Sequence, residues 1–484
     1  MESGAIEQAK DEDDDDDDES DSKEKTTNYE AIGSAIATLQ KQGVNIAVPD
    51  INIAGTGFMP NEETNSIVYG LKSIAGINNT TAEFIINNRP YTSLEDFYER
   101  LCLVKREVPQ KKDPSKTQMK SLVGNKQMMN LLQAGSFDSL HPDKGREEII
   151  VDYLRLVNKP LAKLTVKHID DLIERNLIPE EYEDSLKYYD FRAYVKSGTD
   201  KYQDEAQKSK VWYLLDGEDE ADTEYVVEAF FNMFPELDEG VHWKYDDKYN
   251  SNGIWVATGG SAKKSFEGIC NAHIAPLTRF MNSDECLSAY NESRLEDIKR
   301  EVMCDSLAEG EMASCCCYFG EHELERINGD VYGVKNFFEL DEEPVVESYW
   351  TKRNKETGLE MQIPKFRIDR ICGTVLGRNK TKHVVTVLTE FGVVNVKFYS
   401  GAFNHYDRQL SMSYVDDNGK TGKKTIQKSL FSRGNLVFIH GIRRGDEFVA
   451  KTYKNGLYSH SVYLIDKVYD DGFVTFEEER PTVD

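Results

Sequence analysis

Two sets of residues in this 484-residue chain have types and spacing suited to chemistry, and in both that chemistry is recognition of phosphate and bases. The first is Lys72, Gly76, Ile77, Asn78, Asn79 and Thr80. Around it, Ile67, Leu71 and Ile74 recur at helical spacing and stop at Gly76, and a second apolar-periodic segment (Ala82, Phe84, Ile85, Ile86) follows Asn78. Thr80 or Thr81 is placed to cap the second segment, with Glu83 near enough to complete a capping arrangement. A short helix, a tight glycine turn and another short helix would leave the N–H groups of the turn and of the second helix's first residues unpaired and facing outward. Such a row of donors is a sequence-independent seat for a nucleic-acid phosphate. A helical hairpin that only packs would show the same periodicity, and that alternative stays open.

The second set lies near the C-terminus: Arg378, Lys380 and Lys382, then Lys397, Phe398 and Tyr399, then Arg443, Arg444, Lys451 and Tyr453. Basic side chains of this kind would track a backbone while the aromatics stack on bases of a single strand. Net charge gives the region context. The chain carries −27 overall, yet residues 351–460 hold 20 Lys and Arg against 9 Asp and Glu. A basic module on an acidic body is the footprint that nucleic-acid binding leaves. The competing reading is a module that only spaces its neighbours.

Several other groups look chemical and are not. Gly259-Gly260-Ser261-Ala262-Lys263-Lys264-Ser265 lacks the spacer and the Gly-Lys-Ser/Thr ending of a phosphate-binding loop, and reads as a turn before a helix. The eight cysteines include no Cys-x-x-Cys pair, and the contiguous Cys315, Cys316 and Cys317 point in different directions on a helix. They fit small buried residues of a reducing compartment better than a tetrahedral zinc site.

The elements that must position the two sets divide the chain. Residues 1–28 contain an unbroken acidic run from Asp11 to Glu19, expected to stay disordered as a solvating tail, with a DNA-mimicking segment as the alternative. Residues 29–42 have helical periodicity (Ile32, Ile36, Leu39) ended by Gly43. The hairpin region spans 65–140, and within it residues 105–126 are basic and turn-rich (Lys111, Lys112, Lys116, Lys120), with Pro109 and Pro114 as helix breakers. That stretch is either a solvated loop or a further phosphate contact. A mainly helical region follows over 141–350, with helices expected at 147–157, 168–174, 223–234 and 294–303, an acidic loop at 216–222 and a strand at 254–257. Over 351–470, five short strands (369–376, 384–390, 393–399, 436–442 and 462–468), with a helix or loop from Ala402 between the third and fourth, fit an OB-fold barrel. Residues 471–484 form a tail. The fold class is therefore multidomain α+β: a helical helix-hairpin-helix domain, a mixed, mainly helical middle and a C-terminal β-barrel. No apolar run approaches membrane-spanning length, and the acidic N-terminus is unlike a signal peptide.

Several blocks, in order and spacing, resemble one family. They are the run from Gly43 through Val48-Pro49-Asp50-Ile51-Asn52, the hairpin itself, Arg89-Pro90-Tyr91-Thr92-Ser93-Leu94-Glu95-Asp96-Phe97, and Ala134-Gly135-Ser136-Phe137-Asp138. Glu311 through Tyr318, followed by His322-Glu323-Leu324, adds a fifth. Together they resemble the alpha subunit of bacterial DNA polymerase III, the C-family replicative polymerase. The resemblance implies that residues 29–64 end a fingers domain, that a tandem helix-hairpin-helix follows, and that the barrel binds nucleic acid. It places His322 as a structural residue at a helix end. Where the family's hairpin has Lys-Gly-(Val/Ile)-Gly, this chain has Ala75-Gly76-Ile77-Asn78, which removes a phosphate-pairing charge. Asn tolerates a left-handed turn best among non-glycine residues, so the turn is expected to form and to grip more weakly.

The family's palm holds two Mg²⁺ ions on aspartates, including an Asp-x-Asp pair. Asp50-Ile51-Asn52 resembles that pair only superficially. By the resemblance, palm and most of the fingers would lie upstream of Met1, and the domain by which many relatives bind a clamp loader would be missing after the barrel. The implied part has no catalytic residue, metal site or cofactor of its own, with Mg²⁺ expected on a catalytic partner chain. Gln427-Lys428-Ser429-Leu430-Phe431 matches the short peptide by which bacterial replication proteins bind the sliding clamp, although it falls where relatives have a buried segment leading into strand four. The expected function is the DNA-binding C-terminal part of a split C-family polymerase, from a bacteriophage or a divided gene. It would hold duplex and single-stranded template in the cytoplasm of a bacterium or infected host, with a catalytic polymerase fragment and the sliding clamp as partners and no membrane. The alternative is a stand-alone, non-catalytic DNA-binding protein built from the same modules.

Overall fold

The computed structural model describes residues 28–110, 115–197, 211–214, 232, 234–235, 243–245, 255–258, 260–353, 358–415, 421–452 and 461–477. The acidic run, Lys111, Lys112, Pro114 and Tyr453 lie outside them, as do the expected acidic loop and nearly all of the expected helix at 223–234. Two compact units are present: one is residues 157–302, and the other joins the chain before it to the chain from Met303 onward.

In the larger unit, helix α1 (Tyr29–Lys41) starts at Asn28, whose Oδ1 accepts the Ala31 N–H at 3.0 Å. This is the side-chain cap that a helix N-terminus needs. Strands β1 (Asn45–Ala47), β2 (Met59–Asn61) and β3 (Ser66–Val68) form a small sheet in the order β1-β3-β2, with β3 parallel to β1 and antiparallel to β2. The expected first helix of the hairpin is thus a strand followed by a single 3₁₀ turn, Leu71–Ser73. Ser66-Ile67-Val68-Tyr69 is rich in β-branched and aromatic residues, and pairing on both edges overrides its helical spacing. Gly70 then passes against the backbone of Gly57, where a Cβ would sit 2.5 Å from a carbonyl carbon.

Helices α2 (Asn79–Asn87), α3 (Leu94–Phe97), α4 (Asn125–Gln133) and α5 (Arg146–Val157) complete this half. Between α3 and α4 the basic stretch is neither loop nor helix. It is a two-stranded antiparallel ribbon, β4 (Lys105–Pro109) with β5 (Thr117–Ser121). Arg106 of β4 lies over the Phe84 ring of α2, so the ribbon is tied to the hairpin.

The smaller unit contains α6 (Ile169–Glu174), α7 (Glu183–Tyr194) and an antiparallel sheet in the order β6-β7-β9-β8. Its strands are β6 (Val195–Ser197), β7 (Val211–Leu214), β8 (Trp243–Tyr245) and β9 (Trp255–Thr258). Helix α8 (Gly260–Met281) begins inside the glycine cluster read as a turn, and α9 (Asp284–Val302) follows. Ile169, Leu172, Ile274, Leu277, Met281 and Tyr290 share its core. Of this sheet the sequence predicts only the strand at 254–257, which is β9; β6, β7 and β8 depart from the mainly helical expectation.

The chain returns to the larger unit through α10 (Leu307–Cys315) and an antiparallel ribbon, β10 (Val346–Arg353) with β11 (Glu360–Phe366). The barrel uses β12 (Asp369–Asn379), β13 (Val384–Thr389) and β14 (Gly392–Lys397). Helix α11 (Ser400–Asp407) and a ribbon, β15 (Leu410–Val415) with β16 (Thr421–Gln427), come next. Strands β17 (Leu436–Arg444) and β18 (Glu447–Ala450) close the barrel, and β19 (Val462–Val468) and β20 (Val474–Phe476) extend it. The ring runs β12-β13-β14-β18-β17 and returns to β12, with β14 and β18 parallel and all other pairs antiparallel. With a helix between the third and fourth strands, this is an OB-fold. The fifth ring strand is β18, a four-residue strand reached by a tight turn at Gly445. The expected fifth strand, β19, instead pairs with β17 outside the ring. Val385, Val387, Val394, Val396, Phe431 and Phe448 fill the interior. No described helix is long and apolar enough to cross a membrane.

Candidate nucleic-acid interface

Gly76 supplies the left-handed backbone (φ +73°) that reverses the chain between the 3₁₀ turn and α2. The cap of α2 is Asn78 rather than either threonine: its Oδ1 accepts the Thr81 N–H at 2.9 Å, and Thr81 itself is buried. Asn78 therefore serves the helix through a cap, with an extended backbone, and not through a left-handed turn.

The turn is braced from two sides. Asn130 and Gln127 of α4 donate side-chain N–H groups to Ala75 O (2.7 Å) and Gly76 O (2.8 Å). The Ala75 N–H donates to Ser314 O of α10 at 2.8 Å, and the Ile77 N–H to Ile74 O at 3.1 Å. Two of the turn's donors are thus committed inward, a correction to the fully outward row expected. Ile77 is also core, so it offers neither side chain nor N–H. Gly76, Asn78 and Thr80 remain at the surface, with Asn79 and Lys72 half-buried beside them.

The same unit anchors the hairpin to the segment that leads into the barrel. Tyr69, fully buried, donates its hydroxyl towards Cys315 O (2.7 Å) and Ser73 O (2.9 Å), and burial raises its pKa. Arg146 of α5 reaches Glu311 of α10 at 2.7 Å and Asp138 at 2.8 Å. Burial opposes its charge, but the two carboxylates hold its pKa above the usual arginine value. His322 accepts the Leu324 N–H at Nδ1 (3.0 Å) and contacts Leu388 O through Nε2 (3.1 Å), an arrangement that suits only the neutral ring. Burial lowers its pKa to about 4. All eight cysteines are free thiols, and the consecutive three are buried, with burial raising each pKa.

The barrel separates its expected contacts sharply. Lys380 and Lys382 stand exposed in the turn between β12 and β13, Tyr399 and Arg444 are exposed, and Lys397 projects 3.8 Å from Glu447. Phe398 is buried against Phe403, Tyr406 and Phe431, so it cannot stack on a base. Strand alternation explains this: Val394, Val396 and Phe398 point in while Asn395, Lys397 and Tyr399 point out. Arg378 pairs with Asp407 at 2.7 Å and donates to Phe431 O, fastening β12 to α11. Arg443 is almost wholly buried, and its guanidinium donates to the carbonyls of Phe337, Phe338, Leu340 and Gly445. Both are structural cations. Lys451 is half-buried, 5.5 Å from the Phe366 ring. In the clamp-like peptide, Ser429, Leu430 and Phe431 are buried and Gln427 donates to Glu477. A clamp pocket could reach Leu430 and Phe431 only if the barrel opened.

Asp50-Ile51-Asn52 is likewise structural. Asp50 Oδ1 accepts the N–H groups of Asn52 and Ile53, and Asn52 exchanges two hydrogen bonds with the Tyr91 backbone. Among the described residues, no three His, Cys, Asp or Glu side chains gather as a metal site.

The geometry agrees with what known proteins show. Residues 43–147 match the helix-hairpin-helix motif family. Over 462 residues, 95% of this chain, the sequence is 31% identical to "Probable DNA polymerase YorL" of Bacillus subtilis and to the DNA-directed DNA polymerase of Bacillus phage SPbeta. A 119-residue stretch is 28% identical to DNA polymerase III subunit alpha of Chlamydia trachomatis. The chain is a C-family polymerase-like protein. It spans about a third (32%) of the length of the two Bacillus relatives, and 8% of the chlamydial subunit is matched. For this polymerase-like chain the sequence signal that would have found the missed bracing residues, Gln127 and Asn130, is their i, i+3 spacing on one face of α4.

Proposed function

We propose that this chain is the DNA-holding part of a C-family replicative polymerase: its hairpin grips duplex product, its barrel guides single-stranded template, and palm residues on a partner chain carry out nucleotidyl transfer with Mg²⁺. The observation that carries the reading is the exposed turn at Gly76, Asn78 and Thr80, held rigid by α4 and α10 in one compact unit with an OB barrel whose exposed cations include Lys380, Lys382 and Arg444. Backbone donors at a helix start fix a phosphate without reading sequence, as a polymerase requires. The structural use of Asp50 and Asn52 supports placing the catalytic aspartates elsewhere. The activity named for the Bacillus relatives, DNA-directed DNA synthesis, is the reaction in which this part would serve. The surroundings would be bacterial cytoplasm.

Primer extension tests the division of labour. The chain is assayed alone and mixed with a candidate palm-bearing polypeptide, with Mg²⁺ and dNTPs. Synthesis is expected only in the mixture. Synthesis by this chain alone would overturn the reading, and silence in both with salt-sensitive DNA binding retained would leave a stand-alone DNA-binding protein.

A further inference from the structure

In OB-folds, oligonucleotides bind across the outer face of the second and third strands and between the loops joining strands one to two and four to five. Here much of that face is occupied by the chain itself. Helix α1 lies on it: Thr386 of β13 is hydrogen-bonded to Glu30, and Leu376, Leu388 and Val393 pack with Ala37, Met312 and Tyr318. The edge beside the β17–β18 turn is different. From it projects the β10–β11 ribbon, whose β10 residues are all exposed.

We infer that this ribbon, with the β17–β18 turn at its root, is a single-stranded nucleic-acid seat, taking one base on Trp350 and another on Tyr349, which strand alternation puts on the ribbon's two faces, and phosphates on the cations around them. Tyr349 is 62% and Trp350 49% exposed, large aromatic surfaces that a monomeric chain gains nothing by showing to water. Trp350 stands opposite Ile363, and Lys352 opposite Met361, so one face of the ribbon combines a ring, apolar neighbours and a cation. Over 346–353 and 360–367 the ribbon holds four Lys or Arg against two Glu, Glu347 and Glu360. Nearby acids answer part of that charge: Glu347 pairs with Lys365, and Asp341 and Asp369 with Arg367. Among the described residues Lys352 makes no ion pair, and Arg353, which stands opposite Glu360, donates to a backbone carbonyl, Gly358 O. At the root, Arg444 and Lys451 lie 5.8 and 5.5 Å from the Phe366 ring, which joins the cations of the strand-four-to-five side to the ribbon. Aromatic faces interleaved with cations bind single strands without sequence preference, and this charge complement selects a polyanion over a neutral protein face. The seat rests on the DNA-holding reading above and gives it a path that avoids the surface covered by α1.

The test uses the full chain, a thymidine oligomer containing 5-iodouracil, and a duplex. Irradiation is expected to cross-link the oligomer to the peptide holding Tyr349 and Trp350. Y349A/W350A is expected to lose about tenfold or more in single-strand affinity with duplex affinity unchanged, since each stacked base is worth about 1–3 kcal/mol by alanine substitution. Both side chains are exposed, so folding should survive, and unchanged circular dichroism checks it. Wild-type binding to both DNAs with cross-links elsewhere and an unaffected double variant would overturn the ribbon seat alone. Self-association abolished by Y349A/W350A, with single-strand affinity intact, would assign the ribbon to a protein interface and also overturn it. Failure of the wild type to bind either DNA would overturn the seat together with the reading beneath it.

Discussion

In sequence the hairpin and the barrel carry the same kind of signal, polar and turn residues near apolar elements, and the structure treats them differently. The hairpin offers backbone. Gly76, Asn78 and Thr80 stay at the surface because the chain's path puts them there, and α4 and α10 hold that path through hydrogen bonds to the turn's own peptide groups. The barrel offers side chains. There the cations divide into exposed ones (Lys380, Lys382, Arg444) and partly buried, paired fasteners (Arg378, Arg443) that no composition count can tell apart. A site made of backbone is fixed by local turn chemistry; a site made of side chains depends on which way each residue faces, and on what packs against it.

Four variants would sharpen or break this contrast. The largest effect belongs to Phe398→Ala, expected to cost about 3–5 kcal/mol in denaturant unfolding while the folded protein binds single strands as before. A stacking role for Phe398 would reverse both outcomes. Next, Arg146→Met is expected to destabilise by about 3 kcal/mol, because it leaves Glu311 buried without its partner. A change below about 1 kcal/mol would mean that the hairpin is not fastened to α10 through this pair.

The third variant concerns pH. His322 is neutral in the fold, with its pKa near 4 against an ordinary value of 6.5. A histidine depressed in this way contributes stability above the ordinary value that is lost as pH falls towards 4, at most on the order of 3 kcal/mol. Carboxylates titrate in the same range, so the difference between wild type and His322→Gln is the quantity to measure. A difference independent of pH from 7 to 4 would remove His322 from that role. The smallest effect is Asn78→Ala, about 1 kcal/mol from loss of the α2 cap. Thermal unfolding would show it, and no shift would return the cap to the threonines.

Much of this fold is legible in the sequence. Helix α1, helix α5, the helix between the third and fourth barrel strands and four of the five ring strands fall within a few residues of where periodicity puts them. What was lost shares a physical cause. Strand β18 is four residues long, too short to show alternation, and is stabilised by parallel pairing with the distant β14. Ser66–Val68 has helical spacing but is drawn into a sheet by β1 and β2. The ribbons β4–β5 and β10–β11 have polar or mixed faces, so nothing apolar marks their period. At the site, Phe398 could have been placed inside by counting alternate positions from Val394 and Val396; the placement of Arg443 could not, because three of its four acceptors lie about a hundred residues upstream, in Phe337, Phe338 and Leu340.

DNA holding by backbone and exposed cations is tested most directly by the salt dependence of primer–template binding by the full chain. Log affinity should fall linearly with log salt. Lys380→Ala, Lys382→Ala and Arg444→Ala should each reduce the slope by about one, whereas Arg378→Ala and Arg443→Ala lower stability and leave the slope intact. Binding that ignores salt, or slopes that change with the paired arginines Arg378 and Arg443 and not with the exposed cations, would contradict this.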